Sequence, residues 1–134
     1  TFMKQVHLDY INKNTHPEQM LSFCLCPNAN LYIEDTLPPV EMLLKNNCNI
    51  VIGTDSLASN HELNILAELK TISINFPEIA TEILLRWATK NGAKALQLDN
   101  DFGSFDPGKR PGVVLIENVP GGKLTSTSIA KRII

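Results

Sequence analysis

A single carboxylate, Asp55, closes the apolar run Ile50-Val51-Ile52-Gly53-Thr54, and the small polar residues Ser56, Ser59 and Asn60 follow directly. Such a layout puts Asp55 at the carboxyl end of a buried strand, among the loops where α/β folds assemble their ligand sites. There a carboxylate can hold a metal ion and take a proton from its water. It can equally order the turn or cap a nearby amide, because aspartate is a frequent turn residue. The residue types alone leave both roles open.

Few other side chains compete for chemistry. Three cysteines, Cys24, Cys26 and Cys48, leave at least one unpaired, which is unlike a disulfide scaffold and suits a reducing cytoplasm. Cys24 and Cys26 lie two apart on an expected strand and so point the same way. A thiolate metal site needs more ligands than Cys48 adds, so the pair reads as buried strand residues. The Pro107-Gly108-Lys109 turn lacks the spacing of a phosphate loop.

Composition narrows the classes. The 134 residues suffice for one core, and 43% hydrophobic content is ordinary for a globular protein. A formal charge of −2, from 12 basic and 14 acidic residues mixed along the chain, lacks the basic stripe that nucleic acid requires. No apolar run approaches a membrane span and no signal peptide opens the chain, so no membrane partner is expected. The chain starts at Thr1 without a methionine, which points to a truncated sequence.

The elements that must position Asp55 follow from periodicity and breakers. Phe2 to Asn14 carries Val6, Leu8 and Ile11 at helical spacing, ended by Thr15-His16-Pro17. Met20 to Leu25 reads as a strand buried on both faces and stopped by Pro27. Pro38-Pro39 opens a helix with Val40, Leu43 and Leu44 on one side, and Asn49 begins the next strand, making a right-handed strand–helix–strand unit. Ser59 and Glu62 have capping-box spacing, which starts a helix just beyond Asp55 with Leu63, Leu66, Leu69 and Ile72 on one face. Pro77 suits the first turn of a further helix carrying Ile79, Ile83, Leu84 and Trp87, and Ala93 to Leu98 adds one more turn. After the turn-rich stretch 103–112, Val113 to Ile116 is a short strand, Pro120-Gly121-Gly122 a turn, and Leu124 to Ile134 a last extended segment.

Four segments, in this order, resemble the carboxyl-terminal third of the amidohydrolase superfamily, closest to its chlorohydrolase and aminohydrolase branch of triazine hydrolases, guanine deaminase and adenosylhomocysteine deaminases. Cys26-Pro27-Asn28-Ala29-Asn30-Leu31 is similar to the seventh-strand exit, and Gly53-Thr54-Asp55 with Ala58-Ser59-Asn60 to the eighth. Residues 86–96 resemble the last barrel helix and its exit, and residues 103–110 the return into a small β-domain. Each motif is weak singly; in series they are specific.

The resemblance implies an α/β fold, the carboxyl-terminal part of a (β/α)₈ metal-dependent hydrolase barrel plus short strands of the adjoining small β-domain. Residues 1–100 would be the barrel portion and 101–134 the returning segment. It implies that Asp55 touches a catalytic Zn or Fe ion and accepts a proton from the attacking water. Ser59 would help orient the aspartate or the substrate, and Asn30 would lie near the substrate, although an asparagine ordering its own loop fits Asn30 better. The implied reaction is deamination or dechlorination of an amino- or chloro-substituted heterocycle by a cytoplasmic homo-oligomer.

Some of the family pattern is missing. There is no His-x-His pair, and the strands that bring two further histidines and a glutamate have no counterpart, so this chain alone is expected to be inactive. His7 and His16 read as surface and loop residues, and His61 as a surface residue at a helix start or a neighbour of the site. The competing class is a non-catalytic α/β module that binds a small ligand or a protein at the Asp55 loop.

Overall fold

In the computed structural model, which describes residues 2–16 and 18–134, two parallel strands are backed by helices, and a separate antiparallel pair follows. Helix α1 (Gln5–Asn14) starts three residues later than its apolar pattern, with the Lys4 amide donating to His7 Nδ1 at 3.1 Å. Only Leu8 of this helix is buried. Pro17, expected to end it, lies outside the described residues.

Strand β1 (Ser22–Leu25) pairs in parallel with β2 (Asn49–Ile52), in the register Ser22 to Asn49 and Leu25 to Ile52. Expectation and structure differ over β1. It is shorter than Met20 to Leu25, and Met20, Leu21 and Cys24 are exposed, so it is not buried on both faces. The segment after β1 also differs: it is a helix, α2 (Pro27–Glu34), with proline in its first turn and Asp35 closing it in the left-handed conformation. Proline at that position has a fixed φ suited to a helix start and lacks only an N–H that would be unpaired there anyway. Pro27 therefore both stops the strand, as expected, and opens a helix that the sequence pattern does not announce.

The crossover continues through α3 (Val40–Lys45), whose Val40 and Leu43 are buried. Beyond β2, the Ser59–Glu62 capping box does not form. Helix α4 (Ile65–Asn75) is capped instead by Asn64, whose side chain accepts the Ala67 amide at 3.3 Å. Leu63 therefore lies ahead of the helix and is exposed, while Leu66, Leu69 and Ile72 face the core. Helix α5 (Thr81–Ala88) likewise begins after Pro77, which sits in the turn between the two helices. Leu84 and Trp87 are buried, and the turn expected over 93–98 is the helix α6 (Lys90–Ala95), which starts and ends three residues earlier.

One cluster unites these elements: Leu25, Val40, Leu43, Ile50, Leu66, Leu69, Ile72, Ile79, Leu84, Trp87 and Leu124. Helices α4, α5 and α6 all pack against β2, and Asn91 donates to the Ile50 carbonyl at 2.9 Å. The tail forms β3 (Val114–Glu117) and β4 (Ile129–Arg132), an antiparallel pair. The last segment is thus extended only at its end, because Thr125 to Ser128 form a turn in which the Ser128 hydroxyl accepts the Thr125 amide. Leu124 is buried, and its carbonyl accepts from Ser73 Oγ at 3.0 Å, which fastens the tail to α4.

Candidate functional site

The parallel pairing of β1 and β2 brings both strand exits to one end of the sheet, and the Gly53 amide continues the ladder to the Leu25 carbonyl at 2.9 Å. The chain then turns sharply. Asp55 is exposed and has φ 57°, in the left-handed region that aspartate and asparagine enter more readily than most residues. Ser59, although buried, donates its hydroxyl to Asp55 Oδ2 at 2.8 Å. The Ser59 hydroxyl also lies 3.2 Å from the Ser56 carbonyl oxygen, so Ser59 bridges backbone and carboxylate. Its polar capacity is directed at Asp55 and its turn.

Asn30 sits in the first turn of α2, half-buried, with its amide donating to the Cys26 carbonyl. Both exits are also joined behind the site by a residue that periodicity passes over. Glu68, in the first turn of α4, is fully buried. Its Oε2 accepts the Asn28 amide at 2.8 Å and its Oε1 accepts Asn60 Nδ2 at 2.7 Å. Burial pushes its carboxyl above the usual range, while those donors from Asn28 and Asn60 oppose the shift. A signal for it exists in the sequence: Ile65, Glu68, Leu69 and Ile72 fall at i, i+3, i+4 and i+7, so a charge stands on a helical face otherwise apolar.

The two strand-end thiols also meet here. A side chain at Gly53 would come within 2.7 Å of Cys24 Sγ and 3.2 Å of Cys26 Sγ, so a larger residue there would have to displace the sulfurs. Burial, followed by the neighbouring Cys24, pushes the Cys26 thiol up to about 11, and an amide contact from Asp55 only partly offsets this. The thiolate is the reactive form. At pH 7.5 Cys26 should therefore react with iodoacetamide more slowly than an ordinary thiol, with labelling rising steeply above pH 9. Peptide mapping after timed alkylation checks this; equal labelling of Cys24 and Cys26 at neutral pH would contradict it.

The three histidines have contacts of their own. His7 caps α1, His16 lies in an exposed loop, and His61 packs edge-on against Tyr32 with ring centroids 5.0 Å apart. Tyr32, His61, Lys70 and Thr71 line a groove of about 560 Å³ whose walls do not include Asp55. Among the described residues no group of three or more His, Cys, Asp or Glu is arranged to hold a metal ion, and no helix is long and apolar enough to cross a membrane.

Residues 2–132 match the amidohydrolase family. A 5-methylthioadenosine/S-adenosylhomocysteine deaminase of Thermoanaerobacter pseudethanolicus is 34% identical over 119 residues, covering 84% of this chain and 28% of that protein. A 5′-deoxyadenosine deaminase of Methanosphaera stadtmanae is 32% identical over 111 residues, covering 77% of this chain and 26% of its own length. In three dimensions the chain is similar to an adenosine deaminase of Xanthomonas campestris with bound zinc, at TM-score 0.69 and 28% identity, over 87% of this chain and 27% of that one. E. coli guanine deaminase, at TM-score 0.70 and 24% identity with the same coverage of 87% and 27%, shares the fold. The chain thus spans about a quarter of the length of the proteins it matches.

Proposed function

Because the chain belongs to the amidohydrolase family, we propose that it forms part of a metal-dependent enzyme that hydrolytically deaminates an amino-substituted heterocycle of the adenosine type. The observation that carries this reading is the place of Asp55: an exposed carboxylate at the shared carboxyl end of two parallel strands, with one oxygen held by Ser59. The relatives with deaminase names support the reaction class, and their adenosine-type substrates support the choice of heterocycle. On this reading residues 1–100 are barrel and 101–134 return to a small β-domain.

A divalent ion fits this donor set as far as the set goes. Asp55 offers a hard oxygen ligand suited to zinc or iron, and the remaining ligands would come from other parts of the whole enzyme. When bound, such an ion lowers the pKa of a water toward neutrality. Two residues of this chain then divide the remaining tasks. Asp55 accepts the proton of the attacking water on its carboxylate. Ser59 holds Oδ2 so that the carboxylate keeps one orientation. The unpaired thiols suit a cytoplasmic setting, and the enzyme works as a homo-oligomer.

The test is ammonia release by the full-length, metal-loaded protein offered 5′-deoxyadenosine, adenosylhomocysteine, guanine and an aminotriazine, with chloride release from a chlorotriazine measured in parallel. Ammonia from an adenosine-type substrate is expected. Chloride release alone would move the activity to dechlorination, and no release from any substrate would favour a binding module.

A further inference from the structure

We infer that Glu68 is a positioning residue that locks the two strand exits together and, through them, aims the Asp55 carboxylate; this rests on the role proposed above for Asp55. Glu68 touches no solvent and accepts one N–H from each exit: the Asn28 amide, just beyond β1, at 2.8 Å and Asn60 Nδ2, beyond β2, at 2.7 Å. Asn60 Nδ2 also donates to the Thr54 carbonyl at 2.8 Å, immediately before Asp55. Its chain neighbour Ser59 holds Asp55 Oδ2. On the other side Thr71, one turn along α4, donates to Asn28 Oδ1 at 2.6 Å. A single carboxylate on a core helix thus fixes the backbone on either side of the candidate site.

Packing alone does not call for a charge at this position. Buried ionic groups can often be replaced by apolar ones of similar volume without loss of stability, provided their partners go too. What a carboxylate adds is geometry: two acceptor oxygens at a fixed spacing, each matched to a donor from a different loop. Glutamine keeps only one of those acceptors and presents an NH₂ group to the other donor, so one exit is released. Displacing a catalytic group by about 1 Å lowers turnover on the order of 100-fold.

The experiment compares Glu68→Gln with Ile72→Val, a core change on the same helix, and with Asp55→Asn, all in the full-length enzyme. Glu68→Gln should lower kcat about 10- to 100-fold with KM changed less than about threefold. Ile72→Val should lower the melting temperature and leave kcat alone. Combining Glu68→Gln with Asn60→Ala should lower kcat by less than the product of the two single effects, because the two side chains share one hydrogen bond. Hydrogen exchange, which needs no substrate, should quicken in at least one of the segments 26–31 and 53–60 for Glu68→Gln and in neither for Ile72→Val. Should Glu68→Gln fail to fold, Asn60→Ala takes its place: it removes the Glu68 bond together with the Thr54 contact, and unchanged kcat and exchange in that variant overturn the inference. Unchanged kcat with unchanged exchange in those segments overturns the inference if Asp55→Asn is inactive. If Asp55→Asn is itself fully active, the role of Asp55 fails instead, and exchange alone reports on the Glu68 link.

Discussion

Asp55→Asn in the full-length enzyme should lower turnover by about 10²- to 10⁴-fold while the protein still folds. Both halves of this expectation come from the local geometry. An asparagine at this position keeps the left-handed backbone, since it enters that region as readily as aspartate, and its amide oxygen can still accept the Ser59 hydroxyl. What disappears is the negative charge and with it the capacity to take a proton. Alanine would be a poorer probe, because it combines loss of the carboxylate with strain at φ 57°. Circular dichroism and the melting temperature establish that the variant folds, and steady-state ammonia release measures turnover. Near wild-type kcat in a folded Asp55→Asn protein would remove Asp55 from the chemistry.

The 134-residue chain by itself should be catalytically inert and should self-associate. Inertness follows from ligand count: an open catalytic metal site commonly needs about three protein ligands, and Asp55 is the single ligand proposed for this chain. Self-association follows from the sheet. Parallel strands are ordinarily paired on both edges and covered on both faces, yet β1 pairs only with β2 among the described residues. Cys24 on it and Met20 and Leu21 just before it are exposed. An unpaired strand edge beside apolar surface invites pairing with another copy. Sedimentation velocity at about 10–100 µM, with elemental analysis of the same sample, reads both properties; that range brackets weak association. A monodisperse monomer carrying one tightly bound metal ion would contradict both.

The elements around Asp55 are legible in the sequence where one simple pattern governs them. The apolar run ending in Asp55 is β2, the run before Cys26 is its parallel neighbour, and the Leu66, Leu69 and Ile72 stripe is the buried face of α4. Boundaries shift where two signals compete. Ser59 has the spacing of a helix cap, with a glutamate three residues on, but its hydroxyl is taken by Asp55, and Asn64 caps α4 instead. Pro27 and Pro77 show the two faces of proline, one opening a helix and the other lying in the turn before one. A strand position suggests a buried Cys24, whereas exposure depends on what covers the sheet. Glu68 and its donors are hidden for a different reason. Hydrogen bonds 40 and 8 residues apart in sequence leave no local pattern, and only a charge on an apolar stripe betrays them.

Anomalous X-ray diffraction from the full-length protein, collected on either side of the zinc and iron absorption edges, tests the central assignment most directly. The account predicts one anomalous peak in contact with the Asp55 carboxylate at the end of β2, with Ser59 still holding Oδ2. A peak bound elsewhere, with Asp55 turned away from it and toward its own loop, would contradict the account.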